Sequence, residues 1–275
     1  MPTRLIHVSD LHVGSRDELA IEAPLRDLVD RVRPELVVVT GDLTHRGHPD
    51  QHRRAAAFLR DLGVPVLSVP GNHDIPLAIP ARLIRPFREF ERHWGTTEPV
   101  HRSDSVLAIG LNSVRPWRHQ SGGLQAETLR RAGALLADSP SGALRVVALH
   151  HHLIGAPWRS RKRPVARRSR VLAAFVDAGA ELVLAGHIHQ SAVSERRDFE
   201  VAGGGEQGVA VSVAPGLGQP RPRRRGEARG LHVCEADEGS IRVETHVWSG
   251  GDWLLTAERR FPRGSGTLGP PRSAA

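Results

Sequence analysis

The chain has 275 residues, 39% hydrophobic and 25% charged, with a formal net charge of +8. That length buries a sizeable core in one large domain or two small ones. No run approaches the ~20 apolar residues of a membrane-spanning helix, and a single cysteine, Cys234, excludes an internal disulfide and a cysteine-ligated zinc site.

In chain order, residues 4–9 read as a strand and 21–33 as a helix that Pro34 ends. The run ELVVVT at 35–40 is a buried strand, 50–62 a helix behind Pro49, and 65–69 a strand. A helical pattern covers 80–93, a strand 105–111, and an amphipathic helix 124–137. A strand at 144–149, a helix at 164–178 and a strand at 181–185 follow. Strands alternating with helices predict α/β layering with parallel pairing. After Gln190 strand-like segments at 208–213, 230–235, 240–248 and 253–260 are joined by glycine-rich turns, which predicts a second, mostly antiparallel sheet. The globular domain is expected over 1–261, with 262–275 a disordered tail of Gly, Pro and Ser.

The isoelectric point of 11.2 invites a nucleic-acid partner. Lys162 is the only lysine among 38 basic residues and tyrosine is absent, the bias of a GC-rich coding sequence that spreads arginine over every face. Nucleic acid is therefore not the expected partner. Met1-Pro2-Thr3-Arg4 shows no apolar leader, so the expected setting is cytoplasmic.

Residues of metal-ligating type fall at the C-terminal ends of the strands. Asp10 and His12 follow the first, Asp42 the second, Asn72, His73 and Asp74 the third, His150 the 144–149 strand, and His187 and His189 the 181–185 strand. Ligands of open α/β sheets bind beyond the carboxyl ends of strands. Apart from His73 and Asp74, the candidates are two Asp, one Asn and four His, a mixed oxygen and nitrogen set suited to manganese, iron, zinc or cobalt. Seven side chains exceed the needs of one ion with open positions and suit two ions sharing a carboxylate. Such a pair can clamp a phosphoryl group and hydrolyse a phosphate ester.

Asp10-Leu11-His12, Gly41-Asp42, Gly71-Asn72-His73-Asp74, His150 and Gly186-His187-Ile188-His189, in this order over residues 5–190, resemble the calcineurin-like metallophosphoesterase family. The wording is most similar to its class III cyclic-nucleotide phosphodiesterase and glycerophosphodiesterase branch. The resemblance implies a four-layer αββα sandwich of two mixed β-sheets flanked by helices. It implies that Asp10, His12, Asp42 and His189 hold one metal ion, and Asp42, Asn72, His150 and His187 the second. A hydroxide bridging the ions then attacks the phosphorus of a small phosphodiester. His73 contacts the phosphate or protonates the leaving alkoxide, and Asp74 orients His73. Gly41 and Gly71 allow sharp turns, and Gly186 a close backbone approach. Class III relatives also suggest a possible homodimer.

The family often continues His-His-Pro-Pro where this chain has His150-His151-His152-Leu153, and His151 and His152 are expected to be loop residues. The run WRSRKRPVARRSR at 158–170 reads as a solvated loop and helix start, with a steering lid as the alternative. Arg221 to Arg225 is expected on a surface loop, and Cys234 in the core. His45, Arg46, His48, Asn112 and Ser113 lie close to the motifs but carry no separate signal. Three other readings compete: a DNA-processing metallonuclease, a nucleotide-sugar lipid pyrophosphatase, and a non-catalytic scaffold on the same fold. The full ligand set argues against the last. No capping domain speaks for the first, and no amphipathic acyl-chain insertion for the second.

Overall fold

The computed structural model describes residues 2–15, 21–118, 120–158, 160–195, 208–218 and 227–263. Its strands form two six-stranded mixed sheets. In the first, β1 (Thr3–Val8), β2 (Leu36–Val39) and β3 (Val66–Ser68) run parallel. Antiparallel β10 (Gly230–Ala236), β11 (Ser240–Trp248) and β12 (Trp253–Pro262) extend it beyond β1. In the second, β5 (Val106–Leu111), β6 (Leu144–Leu149), β7 (Leu182–Ala185) and β9 (Ala210–Val213) are parallel, between antiparallel edges β4 (Val100–Arg102) and β8 (Ala192–Glu195).

The sheets stack on one another. Leu5, Leu36, Val38 and Leu67 of the first pack with Ala108, Val146, Ala148 and Leu184 of the second. The alternate residues point outward. Ile6, Val8, Val37 and Val39 lie under α1 (Glu22–Val32) and α2 (Pro49–Arg60), against Leu25, Val29, Ala55 and Leu59. Leu107, Ile109, Val147 and Val183 lie under α5 (Ala126–Ala137) and α6 (Arg168–Asp177), against Ala132, Leu136, Leu172 and Phe175. Burial on both faces explains why these strands read as unbroken apolar runs. Each fully buried Leu, Ile or Val contributes about 1.5–3 kcal/mol by transfer from water. The four layers are therefore helix, sheet, sheet, helix.

Four expectations change. The strands after Gln190 do not form a sheet of their own: β9 joins β7 in parallel, and β10 to β12 complete the sheet of β1. Turn-linked strands reveal a hairpin locally, whereas sheet membership is set by distant partners. The 80–93 helix is two, α3 (Ala81–Ile84) and α4 (Arg88–Trp94). Arg85, which precedes Pro86, has φ −141° and ψ 65°, outside the helical region that a following proline disfavours. The 164–178 helix begins only at Arg168. Finally, the strand expected at 253–260 is longer: β12 runs through Pro262, and Arg263 binds Glu181 and the Gly142 carbonyl. Residues 264–275, and 221–225 of the second arginine run, lie outside the described residues. No helix among the described residues is long and apolar enough to cross a membrane.

Candidate metal centre

The chain folds back sharply where its parallel strands end. Asp10, His12, Asp42, His187 and His189 all have positive φ, between 49° and 77°. Non-glycine residues seldom adopt that region, and each such residue costs of order 1–3 kcal/mol. The turn after β2 needs Gly41, at φ 84°, where an added Cβ would lie 2.6 Å from the Gly71 amide nitrogen. Gly186 is needed for proximity alone, since a Cβ there would fall 1.8 Å from Ser9 Oγ.

These turns gather two buried groups. In the first, Asp10, His12 and His189 bring their ligand-type atoms within 4.8 Å of one another. His189 Nε2 is 3.0 Å from Asp10 Oδ1 and 3.1 Å from His12 Nε2. In the second, Asp42, His150 and His187 do the same. His150 Nε2 is 3.1 Å from His187 Nδ1, 3.2 Å from Asn72 Oδ1 and 3.4 Å from Asp42 Oδ1. Asp42 joins the groups, because its other oxygen, Oδ2, is 3.8 Å from His12 Nε2.

His150, His187, Asp10 and Asp42 are anchored on their other side, whereas His12 Nδ1 is buried without a hydrogen bond. His150 Nδ1 donates to the Thr40 carbonyl at 2.7 Å and His187 Nε2 to the Gln120 carbonyl at 3.2 Å. Asp10 Oδ2 accepts from Ser9 Oγ at 2.7 Å and from the His187 amide at 2.9 Å. Asp42 Oδ1 accepts the His73 amide at 2.8 Å. The inward atoms are left bare: Asp10 Oδ1 and Asp42 Oδ2 are buried without a hydrogen bond. A buried carboxylate oxygen in that state is costly unless a cation meets it. The residues therefore fit a pair of metal ions.

Burial opposes ionisation of Asp10 and Asp42, but the surrounding imidazoles outweigh it and hold both carboxyls well below the usual range. Burial lowers His12 to about 3 and His187 well below the ordinary imidazole value. His150 differs: burial lowers it, but the Asp42 carboxylate and the Thr40 carbonyl raise it to about 9.

His73 stands beside the groups, its ring 4.9 Å from that of His12. Its expected contact with Asp74 is absent. His73 Nδ1 meets the His45 carbonyl at 2.8 Å, while Asp74 accepts from the Gly71 and Thr44 amides, both at 2.8 Å. Asp74 thus ties the turn after β3 to the loop after Asp42 and is itself raised by burial. The His45 ring stacks on His73 at 6.1 Å. His12, His45 and His73 form a third cluster whose ring nitrogens lie within 4.8 Å of one another.

His151 and His152 are not solvated loop residues; they are 1% and 2% exposed. His151 Nδ1 meets Ser113 Oγ at 2.9 Å and its ring lies 4.6 Å from that of His187; His152 stacks on His187 at 5.8 Å. Ser113, two residues beyond β5, makes this packing and carries no separate signal in the sequence. Part of the 158–170 run also lines the site. The Trp158 amide binds Gln190 Oε1 at 2.8 Å, the Val165 amide binds the His152 carbonyl at 3.0 Å, and the Lys162 charge helps lower His151, His152 and His187.

A family model described as calcineurin-like phosphoesterase matches residues 3–191. A probable cyclic nucleotide phosphodiesterase of Rhodococcus erythropolis is 29% identical over 212 residues, 68% of this chain and 65% of that protein. A cAMP/cGMP dual specificity phosphodiesterase of Mycobacterium tuberculosis is 27% identical over 237 residues, 74% of this chain and 71% of that protein. The matches thus span about two thirds of these relatives' length. In fold, the chain is similar to a purple acid phosphatase from yellow lupin seeds, with a TM-score of 0.71 at 11% identity, over 96% of this chain and 54% of that one.

Proposed function

The chain belongs to the calcineurin-like phosphoesterase family, and on that footing we propose that it hydrolyses a small organic phosphodiester with the help of two metal ions. The observation that carries this reading is Asp42, which turns one oxygen to each buried group, 3.8 Å from His12 Nε2 and 3.4 Å from His150 Nε2. Asp10, His12 and His189 would hold one ion, Asn72, His150 and His187 the other, and Asp42 would touch both. When bound, the pair supplies charge neutralisation for the phosphoryl oxygens and water made acidic enough to attack at neutral pH. The mixed oxygen and nitrogen donors favour manganese, iron, zinc or cobalt.

The chain's own residues do the rest. His45 fixes His73 through its backbone carbonyl, which keeps the hydrogen on Nδ1 and leaves Nε2 to exchange a proton with the leaving oxygen. Asp74 holds the His73 turn against the Asp42 loop. The Lys162 charge reaches His187 and adds to the positive field that favours an anionic substrate. The names of the relatives support a cyclic nucleotide or a glycerophosphodiester as substrate. Their bacterial sources support a bacterial enzyme, and the class III resemblance a homodimer.

The test is hydrolysis of bis-p-nitrophenyl phosphate and p-nitrophenyl phosphate by protein stripped of metal and resupplied with manganese. Metal-dependent turnover with diester preference supports the reading. Monoester preference moves the substrate class to phosphatases. No turnover with any divalent ion overturns the esterase reading.

A further inference from the structure

Two imidazoles beside the metal pair take no part in holding it. His45 and His73 are half-buried, with ring centres 6.1 Å apart and planes 20° from parallel. Together with His12 they bring one ring nitrogen each within 4.8 Å of one another. The main chain fixes both. The His45 amide donates to the Val13 carbonyl at 2.9 Å, and the His45 carbonyl takes the hydrogen of His73 Nδ1 at 2.8 Å. His73 Nε2 therefore keeps its lone pair. His45 Nδ1 is buried without a hydrogen bond.

These nitrogens are suited to a cation. Burial, the neighbouring His73 and the exposed Arg46 charge lower His45 from its ordinary value against the pull of Asp42, so its ring is neutral at pH 7. His12 Nε2 is spent on the first ion, which leaves His45 and His73 as the free donors. Zinc–imidazole bonds of about 2.0–2.1 Å put two nitrogens of one ion roughly 3.4 Å apart in a tetrahedron and about 4.2 Å apart when opposite. A small turn of two half-buried side chains closes the rest of the gap, and water completes the sphere.

We propose that His45 and His73 hold a third, inhibitory ion of zinc type beside the catalytic pair. Donors that are imidazole alone select zinc over manganese, which is better served by carboxylate and water oxygens. The pair itself has such oxygens from Asp10, Asp42 and Asn72, and the third place has none from a side chain. Zinc on His73 Nε2 occupies the lone pair that would carry the proton, so an alkoxide has no acid to leave with. Free zinc then stops hydrolysis of alkyl diesters and spares esters with a good leaving group. The inference rests on the esterase reading and adds a regulator to the same site.

The test begins with equilibrium dialysis of the full chain against zinc, followed by elemental analysis. Wild type should hold one zinc ion more per chain than His45→Ala or His45→Gln. Equal zinc content in wild type and both variants overturns the proposal. This count needs no turnover, so it is distinct from failure of the esterase reading, seen as no hydrolysis of bis-p-nitrophenyl phosphate by the manganese-loaded chain. In the active chain, zinc added over manganese should inhibit hydrolysis of 3′,5′-cyclic AMP about tenfold more strongly than that of bis-p-nitrophenyl phosphate. In His45→Ala, measured against its own zinc-free rate, the zinc needed for half-inhibition should rise by about tenfold or more. Zinc that only displaces manganese from the pair inhibits both esters alike and does so in His45→Ala as well, and that result overturns the proposal.

Discussion

His150 and His187 point ring nitrogens at each other, Nε2 to Nδ1, at 3.1 Å. The opposite nitrogen of each ring donates to a backbone carbonyl, of Thr40 and Gln120 respectively, so the facing positions are both lone pairs when the rings are neutral. Two lone pairs at that distance repel unless a proton or a cation lies between them. In the metal-free protein it is a proton, held on His150, which Asp42 and the Thr40 carbonyl raise to about 9 against the effect of burial.

Metal uptake should therefore release a proton. At pH 7.5 about one proton should leave as the second site fills, and the release should fade as pH rises through about 9. Calorimetric titration of manganese in buffers of differing ionisation enthalpy measures it. Uptake without proton release at pH 7.5 would show that His150 is already neutral.

Asp42→Ala removes the one side chain shared by the two groups. Turnover of bis-p-nitrophenyl phosphate should fall by about two orders of magnitude or more, and metal content should drop below two ions per chain. Elemental analysis beside the kinetics makes the check. Full turnover with Asp42→Ala would remove the shared-carboxylate mechanism.

His73→Ala should leave metal content unchanged and lower kcat by roughly 10²–10⁴-fold for substrates with a poor alkoxide leaving group. The loss should shrink for p-nitrophenolate, which leaves without help. His45→Ala keeps the carbonyl that holds His73 Nδ1, so its kcat should stay within a few-fold of wild type. An equal loss for both leaving groups would mean that His73 binds phosphate and transfers no proton.

The motif strands are legible because each is apolar on both faces and each ends in a residue with ligand chemistry. Val37 and Val39 serve one layer and Val38 the other, so a continuous run marks them at once. β4 and β8 leave no such mark, since VHR and AVSE are short edge strands in which no residue is fully buried. The burial of His151 and His152 is illegible for a different reason. It is created by Ser113 and Gly122, some 30–40 positions earlier in the chain, and by His187 after them. The role of Asp74 is obscured by its position next to His73, because the contact that orients the ring is a backbone carbonyl, which no side-chain pattern encodes.

A last expectation concerns the polar seam between the sheets. His232 on β10 is fully buried, with Nδ1 2.6 Å from Ser212 Oγ and Nε2 2.8 Å from Ser191 Oγ. Burial, aided by the charge of His246, lowers it from 6.5 to about 3 in the folded protein. In the unfolded chain it titrates near 6.5, so between these values the unfolded state binds a proton that the folded state does not. Stability must then fall as pH drops below about 6.5, with a slope approaching 1.4 kcal/mol per pH unit from this group. His7, 5.9 Å away and lowered in the same sense by burial, steepens the limb. His232→Asn should lower stability at pH 7 but flatten its decline between pH 6.5 and 4 by close to one proton. Urea unfolding at a series of pH values gives both slopes, and the metal ligands contribute equally to each, so they cancel in the difference. Equal slopes would mean that His232 takes up its proton without unfolding the seam.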